Sequence, residues 1–524
     1  MKQHPITAML GISLVIILIA LDQTVVGTAL PSIVADLKGY DLYPWIAAIY
    51  LLTNAIFIPI TGRLGDIHGR KPFLISAIIL FTAASVFCGL ASSMLQLVIA
   101  RALQGAGGGM LVGSAFACVP DLFPNLKERV KWQVMLSSSF GIASAIGPAL
   151  GGVMTQHWGW RSVFFVNLPV GFLALMMVWK YLPLIVHHDS EKSGLDWLGV
   201  VLLVFALFTL LITSELGASL GFLNPMLWGL ILSSVLFAYL FYRHQIQSQR
   251  PIMPPHLLEH STVQLLSVLS FLSGVMLFIL VFYMPLLLQA GFSLSPKASG
   301  VIVTPILVGI TIGSIINGRI LVRIKHTRFI YSAGVLLLIV GLLMLTQASQ
   351  AANRVYLALA CAFCGLGFGF QIPNLTLQMQ ASVARADLGA SSALVQTLRT
   401  VGSMFGASLG GLFLNLSFTR AMNAHLNDLN ITDDQVKGLF NTPQILVREM
   451  DQMKLFDLAK HLGIDANSLL EQSRLNLISG VHLALWVAII IAGVAIYLSF
   501  KLPNMTHIPH VVQDTLAETP DDYL

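Results

Sequence analysis

A carboxylate inside a membrane-length apolar run is costly to keep there, so it is a candidate for proton chemistry before anything else is known. Asp22 is the only carboxylate well inside any such run in this chain; Arg101 and Arg399 are the two arginines at similar depth. At 1.5 Å per residue, Asp22 lies about 24 Å beyond the start of its run near Ile6, and Arg101 about 9 Å beyond the start of its own near Leu95. If the two helices enter a core about 30 Å thick from opposite faces, the two groups meet at similar depth. Burial favours the neutral acid and a nearby guanidinium favours the carboxylate. A group held between the two can load and release a proton; the plainer alternative is an ion pair that only ties two helices together. Arg399, in Gln396-Thr-Leu-Arg399-Thr-Val-Gly402, can answer Asp22, meet an anionic substrate group, or pack its own half of the protein. His157 and His482 are weaker proton-relay candidates, read as interfacial or structural.

The elements that must position these groups follow from composition. Of 524 residues, 56% are apolar and 10% charged, against about 25% charged in a soluble domain. Continuous apolar runs such as Leu198–Leu211 and Ile330–Leu345 exclude a membrane β-barrel, whose strands alternate. The expectation is an all-α polytopic membrane protein with fourteen spans: 6–31, 43–62, 73–92, 95–119, 132–155, 162–182, 195–215, 224–242, 262–289, 298–318, 329–347, 354–380, 388–416 and 477–500. The first is read as a retained span, not a signal peptide. The net charge of +5 does not signal nucleic-acid binding. With the N-terminus in the cytoplasm, the cytoplasmic segments carry 17 Lys/Arg and the short outer loops only Lys38, Arg161, Lys297 and Arg354. That asymmetry places both termini in the cytoplasm. The segment 417–476 is then outside. Its Thr432-Asp-Asp-Gln435 capping box, Thr442-Pro443 start and Gly463 stop predict helices, read as a lid or membrane-surface helix or as a docking site for a partner. Cys88, Cys118, Cys361 and Cys364 all fall in spans; the C-x-x-C at Cys361 reads as packing rather than metal or redox chemistry.

Several motifs are specific enough to compare with a family. Gly62-Arg-Leu-Gly-Asp66-Ile-His-Gly69-Arg70-Lys71-Pro-Phe-Leu74 resembles the signature loop of the major facilitator superfamily, and Gly318-Arg-Ile-Leu-Val-Arg323 is a degenerate echo of it. Arg101-Ala-Leu-Gln104-Gly105-Ala-Gly107 is similar to the superfamily's R-x-x-q-G-x-g run. Gly141-Ile-Ala-Ser-Ala-Ile-Gly147-Pro148-Ala-Leu-Gly151-Gly152 resembles its antiporter motif, in which small residues allow tight packing and proline a bend. Leu21-Asp22-Gln-Thr24-Val-Val-Gly27-Thr28-Ala-Leu-Pro31 and Trp160-Arg161-Ser-Val-Phe-Phe-Val-Asn167-Leu-Pro169 resemble stretches of the fourteen-span drug:proton antiporters. Gly27 departs from the family, which usually has Asn there.

The resemblance implies two six-helix bundles, 1–183 and 261–500, with two inserted helices in 184–260 and a cytoplasmic tail at 501–524. It implies that Arg70 pairs with Asp121 while Asp66 faces Leu388–Gly389, a conformational latch on the cytoplasmic side. A central cavity would draw on Trp45, Tyr50, Asn54, Gln104, Met276, Tyr283, Met284, Gln289, Phe370, Gln371 and Asn374, whose aromatic and thioether walls suit varied lipophilic compounds. No G-x-x-x-x-G-K-[S/T] loop occurs, so energy is expected from a proton gradient, with no cofactor, no metal and no enzymatic activity. The expected activity is export of lipophilic cations across the cytoplasmic (inner) membrane by a monomeric transport unit, or export of an endogenous lipid, siderophore or metabolite; a non-transporting receptor is the rival from another class. A periplasmic adaptor and outer-membrane channel are partners if the source cell has an outer membrane.

Overall fold

The apolar runs form long helices whose ends are set by local chemistry. The computed structural model describes residues 5–37, 42–123, 125–185, 194–220, 224–248, 251–253, 255–321, 327–384, 387–429, 431, 433–440, 443–446, 449–462 and 464–502. Among these residues every regular element is helical. The first seven are α1 (Pro5–Leu37), α2 (Tyr43–His68), α3 (Arg70–Leu90), α4 (Met94–Leu122), α5 (Leu126–Trp158), α6 (Ser162–Phe165) and α7 (Asn167–Tyr181). Then come α8 (Trp197–Leu220), α9 (Pro225–Gln247) and the short α10 (Pro255–Glu259). The second half holds α11 (Ser261–Leu286), α12 (Pro296–Leu321), α13 (Thr327–Thr346), α14 (Arg354–Ala381) and α15 (Leu388–Asp428), followed by α16 (Asp434–Leu439), α17 (Glu449–Leu462) and α18 (Ala466–Ser499). Ser93 caps α4 by accepting from the Gln96 N–H, and Asn224 and Asn353 cap α9 and α14 in the same way. Between α2 and α3 a single residue, Gly69, turns the chain with φ +82°, a backbone that side chains with a Cβ rarely adopt.

Glycines show how the helices pair, and the pairing repeats. In the first half, α4 lays Gly105 and Gly109 against the α2 backbone at Tyr50 and Asn54, and α5 lays Gly147 and Gly151 against Thr24, Thr28 and Val25 of α1. In the second half, α14 lays Gly365 and Gly369 against the α12 backbone at Ile306 and Ile310, and α15 lays Gly402 and Gly406 against Phe271 and Val275 of α11. So α1–α5 and α11–α15 are two copies of one arrangement, completed by α7 and α18. The halves meet through α5 on α12 and α2 on α15. Glycine contacts across the halves include Gly62 on Ala393 and Gly318 on Val134 toward the end bearing Gly69, and Gly141 on Leu307 and Thr311 midway along α5 and α12. Toward the opposite end, a methyl added at Gly152 of α5 or Gly300 of α12 would meet nothing within 4 Å. α8 packs on α2 through Leu203, Leu207 and Leu211, and α9 packs on α8.

Twelve helices among the described residues are long and apolar enough to cross a membrane, not the expected fourteen. α5 (Leu126–Trp158) is not among the twelve, and α8 contributes a shorter apolar stretch, Trp197–Thr213, among the described residues. Segment 417–476 differs from the surface helix expected of it. α15 continues to Asp428, and with the start of α18 it clasps α16, α17 and the 3-10 turn Pro443–Leu446 around an apolar core of Met422, Leu426, Val436, Phe440, Leu455 and Leu469. The α16 cap is Asp433, which accepts from the Gln435 and Val436 N–H groups; Thr432, Thr442 and Gly463 lie outside the described residues. Arg323 and the tail beyond residue 502 lie outside them too.

Candidate functional site

α1 and α4 bring Asp22 and Arg101 together. Arg101 Nη1 donates to Asp22 Oδ2 at 2.7 Å. The other carboxylate oxygen accepts from Gln104 Nε2 at 2.7 Å and from Asn167 Nδ2 at 3.0 Å. All four side chains are buried, Asp22 at 1% exposure. Gln104 sits one helical turn after Arg101, so one face of α4 supplies both donors. Asn167, at the first turn of α7, also donates to Ser85 Oγ, and Ser85 donates to the Phe164 carbonyl. The Arg101 charge has further company: Gln104 Oε1 at 2.8 Å, the Ile46 carbonyl at 3.4 Å and the face of Tyr50 at 4.3 Å. Chemically, protonating Asp22 removes one acceptor but leaves Arg101 with an amide oxygen, a carbonyl and a ring face. A proton can therefore enter or leave without stranding the guanidinium in an apolar interior.

A second charged cluster lies at the Gly69 end. Arg70 Nε donates to Asp121 Oδ2 and its Nη2 to Asp66 Oδ1 at 2.7 Å. The other oxygen of Asp66 accepts the Ala390 backbone N–H at 2.8 Å, at the exposed-donor end of α15. One residue thus joins the two halves, and Gly389 is required beside it, because a Cβ there would collide with Asp66 Oδ1 and Arg70 Nη1.

The remaining expected residues divide. Tyr50 and Asn54 are buried against Gly108 of α4, next to Arg101. Gln371 is fully buried and accepts from Ser273, and Asn374 accepts from Gln378. The others lie elsewhere. Trp45 packs in the apolar cluster between α2 and α8. Met276 and Met284 are fully buried in the core of the second half, where thioethers fill gaps between helices. Tyr283 lies against Gly410 and donates to the Ala407 carbonyl, and Phe370 faces Gly334 of α13. Gln289 is exposed at the far end, in the π-turn Leu287–Gly291. Arg399 does not reach Asp22; its one side-chain partner among the described residues is Gln396 Oε1, one turn earlier on α15. His157 is exposed and pairs with the Val153 carbonyl of its own helix. Of the antiporter-motif residues, Gly141 packs across the two halves and Gly147 and Gly151 on α1, while Gly152 is exposed without a close neighbour; the Pro148 side chain lies outside the described residues. Gly27 also has nothing within 4 Å of an added methyl. All four cysteines are free and buried. Asn167 and Ser85 were not singled out as site residues; the signal available was a polar amide inside an apolar run, already present in the stretch from Trp160 to Pro169.

Outside the spans, Asp36 at the end of α1 accepts from Trp160 Nε1 at 2.9 Å and Arg161 Nη1 at 2.7 Å, and these bonds hold its carboxyl below the usual carboxylate range. A groove of about 650 Å³ between α12 and α14, bordered by Ile302, Pro305, Arg354 and Leu359, touches none of the expected site residues.

The sequence pattern of the Major Facilitator Superfamily matches residues 12–407. The chain belongs to that superfamily. Members similar to it include the multidrug transporter protein MdtP of Bacillus subtilis (strain 168), 31% identical over 84% of this chain and 82% of the relative. Multidrug resistance protein 3 of the same organism is 32% identical over 79% of this chain and 80% of the relative. Among solved superfamily structures, the proton:xylose symporter XylE superposes with a TM-score of 0.60 at 12% identity, covering 98% of this chain and 99% of that one. The human organic anion transporter MFSD10 gives 0.60 at 14% identity, over 78% of this chain and 94% of that one. The protein is thus a multi-pass, all-helical membrane transporter of the Major Facilitator Superfamily and not an enzyme.

Proposed function

We propose that this chain exports lipophilic compounds across the cytoplasmic (inner) membrane in exchange for protons, by alternating access, as a fourteen-span drug:proton antiporter with both termini in the cytoplasm. In this reading α5 and α8 also cross the membrane. α5 can be less apolar than its neighbours because glycines and serines pack it against α1 and α12 rather than lipid. The single observation that carries the reading is the buried Asp22 carboxylate held by Arg101, Gln104 and Asn167. An ion pair that only tied helices together would have no use for the spare partners of Arg101, which let the pair exist with or without the proton.

The end bearing Gly69 is the cytoplasmic mouth, closed by Asp66 on the Ala390 N–H and by the Arg70–Asp121 pair; this geometry supports an outward-facing state. Substrate enters after that contact opens, and a proton taken up by Asp22 from outside drives the return. Named relatives that are multidrug transporters support export of several lipophilic compounds rather than one nutrient. The lipophilic-cation class has less support. The carboxylate that would attract a cation already accepts from Arg101, Gln104 and Asn167, so a cation must displace Arg101 first.

The test is the purified full chain in proteoliposomes with an imposed pH gradient and a lumenal pH dye. A panel of lipophilic cations and acids should include compounds whose movement is coupled to counter-flow of protons, and Asp22→Asn should lose that coupling. Gradient-driven transport of normal size in Asp22→Asn, or no coupled movement for any compound, would overturn the reading.

A further inference from the structure

The membrane-embedded charges do not balance between the halves. Asp22 and Arg101 neutralise each other, and Arg70 is matched by Asp66 and Asp121. Arg399, in the middle of α15, has no carboxylate within ion-pair distance among the described residues. Arg399 is partly exposed, and a partly buried guanidinium without an anionic partner is unfavourable unless something else supplies the negative charge.

The helix geometry shows which way this cation faces. Successive residues of α15 turn about 100° around its axis. Ala393 packs on Gly62 of α2, and Met404 joins Ala48 and Leu52 of α2, which defines one face. Gly402 and Gly406 pack on Phe271 and Val275 of α11, which defines a second. Gln396, Arg399 and Ser403 lie between those two faces and therefore look away from the side of α15 that carries the exposed Phe405.

Two buried amides, one on α15 beside Arg399 and one on α14, each keep a donor without an acceptor. Gln396 is 1% exposed; its Oε1 is taken by Arg399, and its Nε2 has no partner. Gly274 of α11 touches the Arg399 carbonyl, and the adjoining Ser273 donates to Gln371 Oε1 at 3.4 Å. That leaves Gln371 Nε2, on a fully buried side chain, also without a partner. A guanidinium with one neutral acceptor, beside an amide N–H with none, forms a site short of negative charge and of lone pairs. A carboxylate, sulfonate or similar oxyanion supplies both, through charge-assisted hydrogen bonds.

We infer that Arg399, with Gln396 beside it, binds the acidic group of the transported compound, so that the cargo includes lipophilic organic anions. This deepens the exporter reading and rests on it for the word cargo; the binding itself does not depend on proton coupling. A lipophilic acid also fits the arrangement of charges. Its anionic group meets the unpaired arginine, and Asp22 remains free to handle the proton.

Equilibrium dialysis of the detergent-purified full chain against three radiolabelled probes tests this. The probes share one apolar body: 1-naphthalenesulfonate, its neutral sulfonamide, and trimethyl(1-naphthylmethyl)ammonium. The sulfonate should bind about tenfold or more tighter than either of the others. Arg399→Gln should weaken sulfonate binding by about tenfold and leave the sulfonamide unchanged, with Gln396→Leu a smaller loss in the same direction. Equal binding of all three probes, preference for the cation, or undiminished sulfonate binding by Arg399→Gln overturns the inference. The ranking of the three probes on the unmutated protein decides the matter even if Arg399→Gln cannot be purified. Asp22→Asn separates the two proposals. Sulfonate binding that depends on Arg399, without any proton-coupled movement, sinks the exporter reading alone. Proton coupling through Asp22, with binding indifferent to Arg399, sinks this one alone.

Discussion

In the first half of the molecule Asp22 accepts from three side chains and its partner Arg101 has an amide oxygen, a carbonyl and a ring to spare, whereas in the second half Arg399 has a single amide oxygen. The helix packing of the two halves is the same, down to the glycine contacts of α5 on α1 and of α15 on α11. What differs is the polar chemistry placed on that shared frame. A duplicated scaffold can hold a self-sufficient charge on one side and a charge that waits for a ligand on the other. The first arrangement suits a proton that comes and goes; the second suits an anion.

The largest effects should come from breaking the self-sufficient side. Asp22→Asn is expected to abolish gradient-driven transport while the protein still reaches the membrane. It also removes the carboxylate from Arg101, but the amide oxygen, carbonyl and ring face remain, so the loss of stability should fall below the roughly 3–5 kcal/mol that breaking a buried pair costs. The double variant Asp22→Asn with Arg101→Gln should recover most of the thermal stability and none of the transport. Recovery of both would mean that the pair only ties α1 to α4.

Next come Arg70→Ala and Asp121→Ala, which break the cluster that ties α3 and α4 to the start of α15 through Asp66. Each should slow transport by about tenfold by shifting the population toward the inward-facing state, with substrate binding retained. Gly389→Val should do the same by steric means, since its side chain would displace Asp66 and Arg70. Spin-label distances across the mouth near Gly69 are the check. Distances unchanged in all three variants would remove the latch from the mechanism.

These sites were unequally legible in the sequence. Asp22 and Arg101 could be matched because both sit in long apolar runs, where 1.5 Å per residue turns sequence position into depth. The Asp66–Arg70 loop could be read because a short motif carries it whole. Asn167 was harder: it lies 145 residues from Asp22, and only the packing of α7 on α1 and α3 brings it there. Arg399 was visible as a deep cation, but its lack of a carboxylate is a property of its neighbours, and no spacing reports that. Helix ends were equally obscure. α15 runs from Leu388 to Asp428 because its last turns exchange lipid for the apolar core around Met422 and Leu426, so a fall in hydropathy did not mark a stop.

A smaller effect is expected from the subdomain at the far end. It has its own core of Val436, Phe440, Leu455 and Ala459, closed over the extensions of α15 and α18 and outside the repeated ten-helix frame. Replacing residues 430–465 by a short flexible linker should leave proton-coupled transport in proteoliposomes within about twofold of normal, since loop length alone adds little free-energy cost. Failure of the shortened, folded protein to transport would make this subdomain part of the transport machinery. Normal transport in proteoliposomes combined with lost protection of cells would instead assign it a docking role, with exposed Met453 and Phe456 of α17 as the first residues to change.

The smallest effect should come from a pair of the same chemistry on the same helix as Asp22. Asp36 and Arg161 are joined at 2.7 Å, with side chains 49% and 43% exposed. Water solvates both ions with or without the contact, so Asp36→Asn should leave transport near normal. The pH dependence has a definite sign. The bonds from Trp160 and Arg161 hold the folded Asp36 carboxyl below its ordinary value. The contact's contribution is therefore complete above the unfolded value near 4 and fades only as the pH falls through the lower folded value. Fluorine NMR of the protein carrying 5-fluorotryptophan should show the Trp160 signal constant from pH 8 to pH 5 and moving only in stronger acid. A shift centred between pH 5 and 8 would contradict that sign. Transport by Asp36→Asn should keep the unmodified pH profile over the same range, so any pH dependence there must come from a group other than this exposed pair, and Asp22 is the first to test.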